Sequence, residues 1–164
     1  MDTWFSNPER LHALHRQGAR WLGTPFCPNS AEPGARGGVS CQKLVAEIYF
    51  GAGFVERLPI PDVPMSHAKA NVVSLVESFM ASRPEFERLA PDPDLVLAGD
   101  LIGFTIYRTL HHLGIALGEG EFIHAIEGLG VCVSQLSDPT WFGRFAALWR
   151  PRDHQPSTIN SQPG

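Results

Sequence analysis

The run Gly38-Val39-Ser40-Cys41-Gln42-Lys43-Leu44-Val45 joins a glycine-rich approach, Pro33-Gly34-Ala35-Arg36-Gly37, to a segment with helical spacing. Leu44, Val45 and Ile48 mark one apolar face of that segment, so Cys41 opens a helix. About seventy residues later comes His111-His112-Leu113-Gly114-Ile115-Ala116-Leu117-Gly118, and then Phe122-Ile123-His124-Ala125. A cysteine at a helix start with histidines on two later strands is the pattern of a thiol nucleophile and its base.

Working outward, Asn7 or Ser6 caps a first helix with Pro8 at its first position and Leu11, Leu14, Gly18 and Leu22 on one face; Gly23 and Pro25 stop it. Residues 24–40 read as an irregular loop, and the Cys41 helix ends near Gly51 or Gly53. Residues 58–64 are extended because each X-Pro step disfavours helix. Ser66 caps a third helix whose Val72, Val73, Val76, Phe79 and Met80 form a core stripe, and residues 84–93 are a surface connection. Strands are expected at 101–106, 111–118, 121–126, 131–134 and 144–150, with Gly118-Glu119-Gly120 as a tight hairpin connection. Residues 151–164 read as a disordered tail, and there are no internal repeats. Helices first and an antiparallel meander afterwards give an α+β domain over residues 1–150, about five strands in its sheet.

Alternation separates the two adjacent histidines. On an unbroken strand His111 shares its face with Leu113, Ile115 and Leu117, an apolar core surface, whereas His112 shares the other face with Gly114 and Ala116, where there is room for a helix end and a substrate. His112 is therefore the base, and His111 is structural or lines the rim. A three-residue hairpin loop would set Leu117 opposite Glu121 and Gly114 opposite His124, bringing His124 within hydrogen-bonding reach of His112; a two-residue loop would turn it away. His124 would then hold the His112 tautomer.

The chain has 164 residues, long enough for a core without disulfides or a structural metal. A net charge of −4, with Lys and Arg scattered, argues against nucleic acid as a partner. No apolar run reaches membrane-spanning length, and the N-terminal residues do not read as a signal peptide. That points to a cytoplasmic protein as synthesised, or to a phage-associated one that reaches a cell wall by lysis or in a virion. The cysteines at 27, 41 and 132 cannot all pair and fit no zinc-ribbon spacing. Cys132 reads as a small buried hydrophobe, and Cys27 as a loop residue or a lining of the cleft near Cys41. His12 and His15 read as solvent-facing on their helix, and Asp100 as a turn or strand-start residue.

A free thiol has a pKa near 8.5, which a helix N-terminus and an imidazolium lower. Backbone N–H groups around Cys41 can form an oxyanion hole, with Gln42 as a further donor. A competing use of Cys41, His112 and His124 is as zinc ligands, although close-spaced ligand pairs are missing.

Three pieces together resemble the NlpC-type papain-like cysteine peptidases, which cut bacterial cell-wall peptides. Gly23-Thr24-Pro25-Phe26 resembles the family's Gly-x-Pro-Tyr segment, residues 38–45 its nucleophile motif, and residues 99–104 followed by 112–115 and His124-Ala125 its base-bearing strands. The resemblance covers most of residues 20–150 and implies a papain-like fold with no cofactor. It also implies Cys41, His112 and His124 as a triad acting through an acyl-enzyme on peptidoglycan peptides. Phe26, Ser40, Gln42 and His111 are the candidates for the substrate and oxyanion side. The departures are Phe26 for the tyrosine, Ser40 for an aspartate, Gln42-Lys43 for Ser-Gly, and a longer stretch at 54–98 that walls the cleft or extends the core. An amidase, thioesterase or acyltransferase on the same fold is the alternative, followed by a wall-binding or virion domain without catalysis. The sequence is silent on oligomeric state.

Overall fold

Proline at a first helical position and a side-chain cap before it recur through this chain. In the computed structural model, which describes residues 2–56 and 74–154, α1 (Pro8–Trp21) begins with Asn7 Oδ1 accepting the N–H groups of Glu9 at 2.9 Å and Arg10 at 3.3 Å. Leu14, Gly18 and Trp21 are its buried face. Leu22, expected there, leaves helical geometry as the C-cap and is 47% exposed, so Trp21 closes the face one residue earlier.

The segment expected to be an irregular loop contains a small ladder, β1 (Ala31–Glu32) with β2 (Gly38–Val39), and a parallel bridge from Phe26 to Val39. Val39 N–H donates to Pro25 O and Cys27 N–H to Val39 O, so the Phe26 backbone is tied two residues before Cys41. Helix α2 (Cys41–Gly51) ends where its glycine was expected to end it. Its Tyr49 donates to Gly99 O at 2.8 Å, fastening the helix to the start of the sheet. The extended reading of residues 58–64, the Ser66 cap and the positions of Val72 and Val73 lie outside the described residues. Helix α3 (Leu75–Ala81) is capped by Ser74 and buries Val76 and Met80, with Phe79 packed on the core.

Six antiparallel strands follow: β3 (Phe86–Leu89), β4 (Leu101–Ile106), β5 (Thr109–Gly118), β6 (Glu121–Ile126), β7 (Gly130–Gln135) and β8 (Phe145–Pro151), ordered β3-β8-β4-β5-β6-β7. A single turn, α4 (Pro139–Phe142), lies before β8. β3 corrects the reading of residues 84–93 as a bare connection: flanked by prolines and carrying exposed Glu87 and Arg88, it is a short charged edge strand on β8. The described part of the long 54–98 stretch thus extends the core, because Val76, Met80 and Phe86 join the main cluster. The C-terminal reading is corrected for residues 151–154. Arg152 N–H donates to Glu85 O, and His154 lies 5.0 Å from the Phe54 ring and 5.3 Å from that of Trp4.

The sheet divides two apolar layers. Leu44, Val45 and Ile48 of α2 pack with Leu113, Ile115, Ile123 and Trp149 on one face. Ile102, Phe104, Phe122, Leu136 and Leu148 form the other, with Trp141 against them. Strict alternation is interrupted twice near the histidines. Phe104 pairs with His112 but Thr105 with Leu110, so His111 is the extra residue of a bulge. Ala116 pairs with Phe122 but Gly118 with Glu121, so Leu117 is the extra residue of a second.

Candidate active site

The first bulge frees backbone carbonyls from the ladder, and two helices collect them. Ser74, the cap of α3, donates to Leu110 O at 2.6 Å, and Gln42 Nε2 in the first turn of α2 donates to His111 O at 3.1 Å. Gln42 is buried, so this bond pins the start of α2 beside the His111–His112 bulge. Cys41 is the residue before it and is 3% exposed. Ser40 caps the helix by accepting the N–H of Lys43 at 3.3 Å. Phe26 is half-buried against the main core and bridged to Val39. His111 is buried at the bulge. The expectation that it alternates with Leu113 on an unbroken strand gives way to that irregularity.

His112 and His124 meet directly, with His112 Nε2 2.8 Å from His124 Nδ1. The register Gly114↔His124 is the expected one, but it is reached differently. The hairpin is a two-residue turn with Glu119 at φ 54° and Gly120 at φ 78°, and the Leu117 bulge restores the pairing that a three-residue loop would have set. The space over Gly114, expected to admit a helix end, is filled by Phe122 and His124. A Cβ on Gly114 would lie 2.9 Å from Phe122 Cδ2, 3.0 Å from Ile123 O and 3.4 Å from His124 Cβ. Gly114→Ala is therefore expected to destabilise the fold by about 1–3 kcal/mol through overpacking. Urea unfolding checks this, and an unchanged midpoint would mean that the backbone there yields freely.

Trp141, which sequence reasoning missed, roofs the pair. Its ring stacks on His112 at 5.1 Å and 24° and meets His124 edge-on at 4.7 Å and 84°. Phe104 and Phe122 complete the enclosure, at 5.8 Å from His112 and 4.4 Å from His124. The signal present in the sequence was Asp138-Pro139, a cap and first-turn proline announcing α4; Asp138 Oδ1 accepts Thr140 N–H at 2.8 Å. The far nitrogen of His124 is satisfied as well, with Nε2 2.7 Å from Ser134 Oγ on β7.

Enclosure sets the charge state. Burial, reinforced by the charges of His124, His111 and Arg144, holds His112 well below the usual imidazole range, and burial lowers His124 to about 4. Both rings are neutral at pH 7. An unfolded histidine titrates near 6.5, so below that pH the unfolded chain takes up protons that the folded one refuses. The contribution is present above pH 6.5 and is lost as pH falls toward 4, and for His124 it amounts to about 3 kcal/mol. Urea unfolding between pH 7.5 and 4 is expected to show this loss, and His124→Gln is expected to flatten it. A wild-type stability level across that window would place the pair in water.

Among the described residues no group of three or more His, Cys, Asp or Glu side chains is placed to hold a metal ion. Among them also, no helix is long and apolar enough to cross a membrane. Asp100 is fully buried and faces Arg150, within the sheet and its loops rather than with the histidines.

N-terminal helices packed on an antiparallel sheet, with the cysteine helix docked at a histidine-bearing bulge, define an α+β papain-like fold. A model of the NlpC/P60 family matches residues 34–150, and the chain belongs to that family. It is 29% identical over 141 residues to a probable endopeptidase of Haemophilus influenzae, covering 85% of this chain and 71% of that protein. Shorter matches reach 40% over 52 residues with the peptidoglycan DL-endopeptidase CwlO of Bacillus licheniformis, 32% of this chain and 12% of that protein. Another is 38% over 47 residues with the murein DD-endopeptidase MepS/murein LD-carboxypeptidase of Escherichia coli, 29% of this chain and 25% of that protein. These two alignments thus span only a small part of each relative's length. Among solved structures the chain is similar to an NLP/P60 family lipoprotein-like protein of Staphylococcus aureus, with a TM-score of 0.61 and 20% identity over 90% of this chain and 43% of that one. It is also similar to the NlpC/p60 domain of the peptidoglycan hydrolase SagA, at 0.55 and 21% over 84% and 96%.

Proposed function

We propose that this chain is a cysteine hydrolase that cleaves amide bonds in peptidoglycan peptides, with Cys41 as nucleophile, His112 as base and His124 orienting it. The observation that carries the reading is the enclosed His112–His124 hydrogen bond on a bulge whose His111 carbonyl is tied to the first turn of the Cys41 helix. Family membership and the endopeptidase names of the relatives support the substrate class.

His112 uses Nε2 on His124, which leaves Nδ1 for the thiol. Because burial keeps His112 neutral, it acts as proton acceptor. The Cys41 proton passes to Nδ1 as sulfur forms its bond to the carbonyl carbon, and N–H groups at the start of α2 receive the oxyanion, a contribution of about 3 kcal/mol per donor. The C–N bond breaks, the amine leaves with the proton from His112, and water activated by the same ring releases the acyl group. No step calls for a cofactor. Phe26 offers the substrate an apolar edge without the hydroxyl that the family's tyrosine carries.

Digestion of purified muropeptides, followed by mass spectrometry, tests the reading. The expected result is cleavage at one amide, each event adding one water across the two products. Products joined to an added amine or alcohol instead would identify an acyltransferase. Intact muropeptides, together with Cys41 alkylation by iodoacetamide that is indifferent to His112→Ala, would overturn catalysis.

A further inference from the structure

The histidine pair does not end at His124. In the β6–β7 register Cys132 stands directly opposite His124, and Ser134, two residues along, lies on the same face. The chain of contacts therefore runs across three strands, from His112 Nε2 to His124 Nδ1 at 2.8 Å, and from His124 Nε2 to Ser134 Oγ at 2.7 Å.

Proton counting along this chain gives it a direction, and this step rests on the proposed Cys41–His112 chemistry. A neutral imidazole carries one N–H. For His112 Nδ1 to accept the thiol proton, the ring proton must sit on Nε2 and be donated to His124 Nδ1. His124 must then carry its own proton on Nε2 and donate it to Ser134 Oγ. In the opposite arrangement His124 Nδ1 would donate, His112 would carry its proton on Nδ1, and no base would face Cys41. Ser134 Oγ, 2.7 Å from His124 Nε2, is the acceptor that the working arrangement requires; without it a buried N–H at the end of the pair loses its partner. We propose that Ser134 is a positioning residue whose oxygen accepts the Nε2 proton of His124, holds His124 in the Nε2–H tautomer and so keeps His112 Nδ1 open as the base.

The test uses the full chain labelled with 15N-histidine and the variants Ser134→Ala, Ser134→Thr and His112→Ala. Two readouts are taken: the ring-nitrogen shifts of His124, and the rate and pH profile of Cys41 alkylation by iodoacetamide, mapped by mass spectrometry. The groups facing His112 and His124 are His111, Cys132 and Arg144, and none of them is altered. The expected result is Nε2–H His124 in the wild type and mixed tautomers in Ser134→Ala. Alkylation at pH 7 should be about tenfold slower in that variant, as for other outer-shell partners of histidine, and Ser134→Thr should restore both readouts. Alkylation that depends on His112 but is the same in Ser134→Ala, with unchanged ring shifts, would overturn the role of Ser134 and leave the triad intact. Alkylation indifferent to His112 as well would overturn the triad itself and the role of Ser134 with it.

Discussion

Cys41→Ala is expected to abolish muropeptide cleavage, lowering turnover by about 10⁴-fold or more, as loss of the nucleophile does in other triads. The fold should survive. Cys41 is 3% exposed, and its replacement removes a single sulfur from a helix start already held by the Ser40 cap and the Gln42 bond to His111. Circular dichroism and urea unfolding close to wild type would separate lost chemistry from lost structure. Cys41→Ser should be nearly as inactive, because a hydroxyl is far harder than a thiol for a neutral imidazole to deprotonate. Residual cleavage in Cys41→Ala would move the nucleophile elsewhere. Cys27 would be the next candidate: it is exposed, and a Cβ on Gly38 would lie 3.5 Å from its sulfur, three residues before Cys41.

Much of this site was legible in the sequence because its parts are local signals. A glycine-rich approach, a cysteine and an apolar helical stripe announce the start of α2, and alternation with a glycine-rich turn announces the β5–β6 hairpin. The pairing of Gly114 with His124 came out as expected through a compensation: a two-residue turn shifts the register one way and the Leu117 bulge shifts it back. A period of two cannot reveal a bulge, and for the same reason His111 was assigned to an unbroken strand. The residues that finish the site arrive from far along the chain. Gln42 reaches His111 across 69 positions and Ser74 reaches Leu110 across 36. Trp141 covers the histidines from a four-residue helix between two strands. Local patterns do not say what each of these touches. β3 was missed because an edge strand needs only one paired side, so its outer residues are free to be charged.

Arg150→Met is expected to cost the fold more than any other single substitution named for this chain, about 3–5 kcal/mol, out of a total of roughly 5–15 kcal/mol for a domain. Arg150 is 2% exposed and Asp100 is fully buried. The guanidinium donates from Nε to Asp100 Oδ1 at 3.1 Å and from Nη2 to Oδ2 at 2.8 Å, and Nη2 also donates to Leu95 O. Leu97 N–H donates to Asp100 Oδ2 at 2.8 Å, so the ion pair fixes the 95–97 segment at the start of β4. Burial pushes the Asp100 carboxyl up even with this fork upon it. Without Arg150 the carboxylate is buried and unpaired, and its pKa rises further. A carboxyl whose folded pKa lies above its unfolded value near 3.9 binds its proton more tightly when folded. The associated stability is complete below about pH 3.9 and is lost as pH rises through the folded pKa. The gap between Arg150→Met and wild type should therefore narrow as pH falls from 7 toward 4.5, opposite in sense to the histidine contribution. Removing both charges with Asp100→Leu and Arg150→Met should be less harmful than the two single changes combined. It should still be destabilising, because Leu97 N–H and Leu95 O lose their partners at about 1–3 kcal/mol each. Urea unfolding of the three variants at pH 7 and 4.5 decides the matter. A gap that is the same at both pH values would mean that the abandoned carboxylate finds water, and that Arg150 stabilises the fold through its packing and its bond to Leu95 alone.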